Sequence, residues 1–346
     1  MNKLNLFEII LFFVTMSFTG CNDSIEEDNN VPNVYVAGWE INTQGIDIAK
    51  LWKNGREQNL TDGTSYGRAY SVYVSGNNVY VAGYENSGQL NESIFGNYRS
   101  SVAKLWKNGV AQNLSDGITN AVAKSVYVSG NDVYVVGTVG SVVTLWKNGV
   151  AQNLTDGTYS VETNSIFVLN NNVYIAGTEQ IAQNNNYNVA TLWINSVKQS
   201  LTDGFPEAFA NSVYVSGNDI YVVGHERIFE YQDGTVWSKP IAKLWKNGVV
   251  QNLIDNTTAS YANSIYISGS DVYVAGFIFN SGATLWKNSV MQRLSDEASA
   301  NSVYVADSDV YVAGYNENSA ALWKNGILQH LTCKSTNAIA FCVFVK

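Results

Sequence analysis

Four glutamates stand at one place in a repeated segment. Glu40, Glu85, Glu179 and Glu226 each follow, by two residues, the glycine that ends a Val-Tyr-Val-Ala-Gly-like run. Set around a ring, they could offer several carboxylate oxygens to one hard cation. No Asp-x-Asp-x-Asp loop accompanies them, so no metal is expected, and solvated loop residues are the simpler account. Paired carboxylates can also hydrolyse a glycosidic bond, and Glu85, Glu226 or Asp233 would be the residues to do so. His225 beside Glu226 could serve as acid and base, but neighbours on an extended chain diverge to opposite faces. Only one other histidine, His330, is present, and Gly-x-Ser-x-Gly, His-Glu-x-x-His and phosphate-binding glycine loops are all absent. No cofactor is expected.

Recognition has more material than catalysis. Trp39 accompanies Glu40, and Tyr84, Glu85, Tyr98 and Arg99 fall together. Glu179 and Tyr187 flank an asparagine-rich stretch, and His225, Glu226, Tyr231 and Trp237 share another. Aromatic rings beside amides and carboxylates suit a glycan or a peptide, because stacking and polar pairing act together. The competing account is that these residues pack their own loops.

The elements that must carry them repeat. Ser212–Gly224, SVYVSGNDIYVVG, recurs with small changes from Ser71, Ser125, Ser165, Ser264 and Ser302. Two β-branched and aromatic runs around a polar turn read as a β-hairpin. A Leu-Trp-Lys-Asn-Gly run and a Gln-Asn-Leu run, both with small variations, follow each copy. The Leu-Trp tryptophans are Trp52, Trp106, Trp146, Trp193, Trp245, Trp286 and Trp323, spaced by 54, 40, 47, 52, 41 and 37 residues. That period with four strands predicts seven blades of one all-β propeller, four antiparallel strands per blade. The first Val-Tyr-Val-Ala-Gly run, at residues 34–38, lacks a preceding strand, and residues 342–346, CVFVK, supply a spare one. The C-terminal strand is therefore expected to join the N-terminal blade and close the ring.

Strand direction alternates within a blade, so loops between the second and third strands share one face with the returns between blades. From the second-strand glycine to the next Leu-Trp lie 12, 21, 7, 14, 19, 8 and 7 residues in blades 1 to 7. Variation is thus expected on that face, over blades 1, 2, 4 and 5, and variable loops are where binding residues collect. Asn164, Asn211, Asn263 and Asn301 precede the repeated serine, with Tyr70 and Lys124 at the same place. They either rim a central channel or hydrogen-bond the returning chain.

Residues 1–20 read as a secretory signal, with Lys3 followed by an apolar run too short to span a bilayer. Phe18-Thr19-Gly20-Cys21 resembles a bacterial lipobox, which implies lipidation of Cys21. Residues 22–32 read as an acidic tether, and 33–346 as the propeller. The whole resembles repeat-propeller lipoproteins of Bacteroidota, with a layout similar to Asp-box and kelch-like repeats, although the signature residues of those repeats are absent. The resemblance implies a cell-envelope protein held on the outer membrane through its lipid and exposed at the surface. Its partners would be a membrane, through the anchor, and a glycan, peptide or envelope protein.

The formal net charge of −9 and thinly spread basic residues exclude nucleic acid, which needs a clustered positive face. Cys333 and Cys342 flank the last return and could form a disulfide in an oxidising exterior, or stay free. The leading reading is a binding module. A polysaccharide-active hydrolase or lyase, and a structural component of the envelope, are the alternatives.

Overall fold

The computed structural model describes residues 31–87, 100–181, 187–232, 235–333 and 336–346. These form seven four-stranded antiparallel sheets and no helix. Within each sheet the strands run from A, innermost, to D, outermost. The A strands touch one another in an unbroken ring, each packing on the A strand of the next blade. The expected propeller is what forms.

Blade 1 takes strand A from the chain's end (Ala338–Val345) and strands B, C and D from its start (Val34–Ile41, Asp47–Lys53 and Arg56–Asn59). Val34 pairs with Val345 and Val36 with Val343, and the Asn33 and Lys346 backbones exchange two further hydrogen bonds. Pairing the terminal strands removes two open sheet edges. Trp52 continues the closure in the core, packing against Tyr311, Ala313 and Leu322 of blade 7.

The same wedge repeats around the disc. All seven Leu-Trp tryptophans are almost wholly buried, and each packs against the preceding blade, as Trp106 does on Ala37 and Leu51 of blade 1. The indole of Trp146 also donates to the Leu114 carbonyl at 2.9 Å. Between C and D, Asn108 and Gly109 take φ of 51° and 81°, the positive values that a tight hairpin demands. In all seven blades that asparagine's Oδ1 accepts the amide of a valine or isoleucine at the start of strand B, as Asn108 does from Val79 at 2.8 Å.

Strand A begins four residues earlier than the repeat suggests. In blade 2 it runs Gly67–Ser75, with a register shift between Ala69 and Ser71. Tyr70 is therefore an extra, bulged residue. The bulge explains the strand-B glycine: a Cβ at Gly83 would lie 2.0 Å from the Arg68 carbonyl oxygen, and its six counterparts are as tight, at 1.8–2.2 Å. The bulge also turns one amide toward the neighbouring blade. Val126 N–H donates to Ser71 Oγ at 3.2 Å, and the pattern repeats from serines 125, 165, 212, 264 and 302. Cys342 holds the seventh place, its Sγ 3.8 Å from the Val72 carbonyl oxygen.

Cys333 and Cys342 are both free thiols, so no disulfide braces the closure. Hydrogen bonds and burial along the last strand already fasten the ends.

Candidate binding face

The bulge places three tiers of strand-A side chains along the central channel. Nearest the A–B hairpins, Tyr73, Tyr127, Phe167, Tyr214, Tyr266, Tyr304 and Phe344 form a closed girdle, each ring centroid 4.6–5.1 Å from the next. Burial raises the phenol pKa values of Tyr73, Tyr127, Tyr214 and Tyr304, so these stay neutral hydroxyls.

The middle tier is the bulge residue itself. Asn164, Asn211, Asn263 and Asn301 each donate Nδ2 to an alanine carbonyl of the next blade, at 2.9–3.0 Å. They line the channel and also satisfy a backbone group, so the two readings of these residues are one. Blades 1, 2 and 3 break the pattern with Phe341, Tyr70 and Lys124. Tyr70 packs against Phe341 at 5.0 Å and Tyr84 at 6.0 Å, and Lys124 Nζ lies 4.2 Å from the Tyr70 ring centroid.

The outer tier, at the loop face, is different in every blade: Arg68, Val122, Glu162, Phe209, Tyr261, Ser299 and Ile339. Strand B sets a second residue beside each, pairing Trp39 with Ile339, Tyr84 with Arg68 and His225 with Phe209. Two aromatic groups result. In the first, Arg68 is held by Asp47 at 2.6 Å and lies 4.5 Å from the Trp39 ring. In the second, His225 stacks on Phe209 at 4.5 Å and meets Tyr261 edge-on at 4.7 Å. Burial, with Arg227 as a lesser cause, lowers the His225 pKa to about 4. Burial keeps the imidazole neutral near pH 7 and makes it a weak base, packed between the Phe209 and Tyr261 rings.

The four repeated glutamates neither converge on a cation nor stand free in solvent. Glu40 pairs with Lys50 at 2.9 Å, Glu85 with Lys104 at 3.0 Å and Glu226 with Lys243 at 3.0 Å, all across strands B and C. In blade 4 the strand-C lysine is replaced by Thr191, and Lys198 from strand D reaches Glu179 instead. Each carboxylate is committed inside its own blade. No group of three or more His, Cys, Asp or Glu side chains gathers as a metal site among the described residues. The same ion pairs occupy Glu85 and Glu226 as glycosidase carboxylates. Asp233 lies outside the described residues.

The loop of blade 5 is a hairpin arm. Strand B continues to Gln232 and strand C starts at Thr235, so both exceed every other strand in the disc. Tyr231 sits on it opposite Val236, and Trp237, opposite Glu230, is 63% exposed. Phe229 on the same arm stacks on Phe205 at 5.8 Å, and Phe205 meets Tyr187 of blade 4 at 5.6 Å. Tyr98 and Arg99 lie outside the described residues, as does Cys21.

Of the residues that sequence reasoning singled out, Trp39, Tyr84 and His225 lie beside the outer tier of strand A, and Tyr187 and Trp237 lie at the start of strand C in blades 4 and 5. That reasoning missed Arg68, Phe209, Tyr261 and Phe341, because variation was sought in the loops and not within strand A. A signal for the ion pairs was also present. Where the strand-B position is Glu40, Glu85 or Glu226, strand C carries Lys50, Lys104 or Lys243; where it is Val139 or Ile278, strand C carries Thr144 or Thr284.

No family model matches the sequence, nor does any curated protein. Among solved structures, the chain is similar to the β-propeller domain of the trilobed protease from Pyrococcus furiosus. Identity is 11%, the match covers 87% of this chain and 95% of that one, and the TM-score is 0.52. A chain of a nidogen/laminin complex is similar at 8% identity, over 75% of this chain and 92% of that one, with a TM-score of 0.44. At 11% identity the first of these likenesses conveys the propeller fold alone.

Proposed function

We propose that the chain is a binding module that recognises a glycan, a peptide or a protein through the loop face and the channel mouth within it. One observation carries this reading. Tryptophans and the asparagine clasps of the C–D turns repeat in all seven blades and the strand-A serine in six, while the loop-face tier differs in every blade. A scaffold that builds itself from repeats has no structural need for Trp39, Arg68, Tyr84, Phe209, His225 and Tyr261 in just those places. Concave, aromatic-lined openings with a few polar groups are the usual form of a binding site.

We further infer that residues 1–20 direct export, that Cys21 carries a lipid, and that a short tether sets the propeller at the outer membrane surface. The Phe-Thr-Gly-Cys sequence supports this. Metabolic labelling with a radioactive fatty acid should mark the wild type and not Cys21→Ser. Equal labelling would remove the anchor.

The test of binding is an exchange of loops. Residues 84–103 and 225–242 are replaced by the short blade-3 connection, and wild type and exchanged protein are compared on a glycan array and in peptide and envelope-protein pull-downs. Ligands retained by the wild type should be lost by the exchange. Unchanged binding of every ligand would overturn the reading.

A further inference from the structure

Lys124 is the one middle-tier residue with a charge, and its position is unusual. Four of its six counterparts in the other blades are asparagines that donate to the next blade, yet Lys124 makes no hydrogen bond and no ion pair among the described residues. Its ammonium instead lies against the face of Tyr70. A cation over an aromatic ring gains some attraction, but far less than a carboxylate would give. The charged groups around it are known. Arg68 is the like charge that acts on it and is already paired with Asp47. Glu162, on strand A of blade 4, is the opposing charge that acts on it, beyond ion-pair distance. Desolvation outweighs both and lowers the lysine pKa. The site thus holds a partly dehydrated ammonium with no ion-pair partner among the described residues.

Two further features adjoin it. Rings line the blade-1 and blade-2 side, with Phe341, Tyr70 and Tyr84 in contact in series. Asn164, Asn211 and Asn263 continue the tier on the other side. Their Nδ2 groups are spent on alanine carbonyls, and their Oδ1 atoms accept nothing from the described residues. Amide oxygens accept hydroxyl protons, and ring faces cover the C–H faces of a pyranose. A carboxylate completes the lysine. Below, the aromatic girdle limits how far a ligand can descend.

Resting on the binding-module reading, we propose that the channel mouth is a subsite for an acidic sugar, with Lys124 binding its carboxylate, Tyr84 offering its ring an aromatic wall, and the asparagine oxygens accepting its hydroxyls.

The test uses purified full-length protein, wild type and Lys124→Gln, with calorimetric titration by three probes. These are a glucuronate-containing trisaccharide, the same trisaccharide with its carboxyls reduced to alcohols, and a tri-glutamate peptide. Thermal unfolding of the variant verifies that it folds, and Lys124→Arg, which keeps the charge, serves as a second variant. The acidic trisaccharide should bind the wild type at least tenfold more tightly than its reduced form. Lys124→Gln should erase that difference and Lys124→Arg should keep part of it. Equal binding of the acidic and reduced sugars, or an unchanged preference in Lys124→Gln, would overturn the proposal. So would preference for the peptide. A neutral ligand lost on loop exchange but retained by Lys124→Gln would overturn the carboxylate subsite and leave the binding face intact.

Discussion

Tyr35 and Phe344 lie directly opposite each other in one sheet, although almost the whole chain separates them. The first strand of the fold has no inner neighbour until the last strand arrives. Deleting residues 338–346 should therefore leave blade 1 with three strands and an open edge. Urea denaturation followed by circular dichroism should show a lower midpoint and a broadened transition. A truncated protein unfolding like the full chain would show that the closure contributes nothing.

The tryptophan wedges predict a second result. Trp146 is about 1% exposed, fills the space between blades 2 and 3, and donates its indole N–H to Leu114. Trp146→Ala should cost about 3–5 kcal/mol, measured by chemical denaturation. Trp237→Ala, on the exposed hairpin arm, should cost less than about 0.5 kcal/mol. Equal costs at the two positions would contradict the packing described.

The Glu226–Lys243 pair allows a test by substitution from within the chain. Both side chains are largely buried, at 14% and 7% exposed. Lys243→Thr alone strands a carboxylate and should cost about 2 kcal/mol, a value reduced from that of a fully buried pair for its partial solvation. Glu226→Val with Lys243→Thr copies Val139 and Thr144 of blade 3 and should restore most of the loss. A double variant no better than the single would mean that the two residues do not act as a pair.

His225 predicts a pH dependence. Its folded pKa is near 4, against about 6.5 for an imidazole in an unfolded chain. Between those values the unfolded chain holds the extra proton, so stability rises with pH across that window. The contribution is full above about pH 6.5 and is lost as pH falls to about 4, by about 3 kcal/mol for the whole shift. His225→Gln should flatten the difference between urea midpoints at pH 7.5 and pH 5. Parallel pH profiles for wild type and variant would refute it.

The two cysteines of the closing region should react differently. Cys333 is exposed, whereas the Cys342 thiol is turned against the Val72 carbonyl and burial raises its pKa. In a Cys21→Ser background, a thiol reagent should modify Cys333 readily and Cys342 about 100-fold more slowly until the protein is denatured. Equal rates would show that strand A of blade 1 opens in the native state.

Much of this molecule was legible because it is written seven times. Chance cannot produce seven Leu-Trp pairs with matching hairpins, and Cys342 could be placed in the serine series before its neighbours were known. The candidate site was less legible. Glu40, Glu85, Glu179 and Glu226 looked like a shared resource because a sequence shows that positions are equivalent and not which neighbour each one meets. Lys104 lies across the sheet from Gly83 and thereby falls within reach of Glu85, a diagonal that only register supplies.

The bulge in strand A makes the same division. Sequence alone determined that seven four-stranded blades form and that the last strand belongs with the first, since period-two runs, turn residues and repeat count are local facts. Tertiary structure decided which side chains meet over the channel. One extra residue at the position of Tyr70, Lys124 or Asn164 changes the direction of everything before it, and its effect is felt by the neighbouring blade. Long-range contact, not composition, sets the Lys124 ammonium against the Tyr70 ring with no ion-pair partner among the described residues.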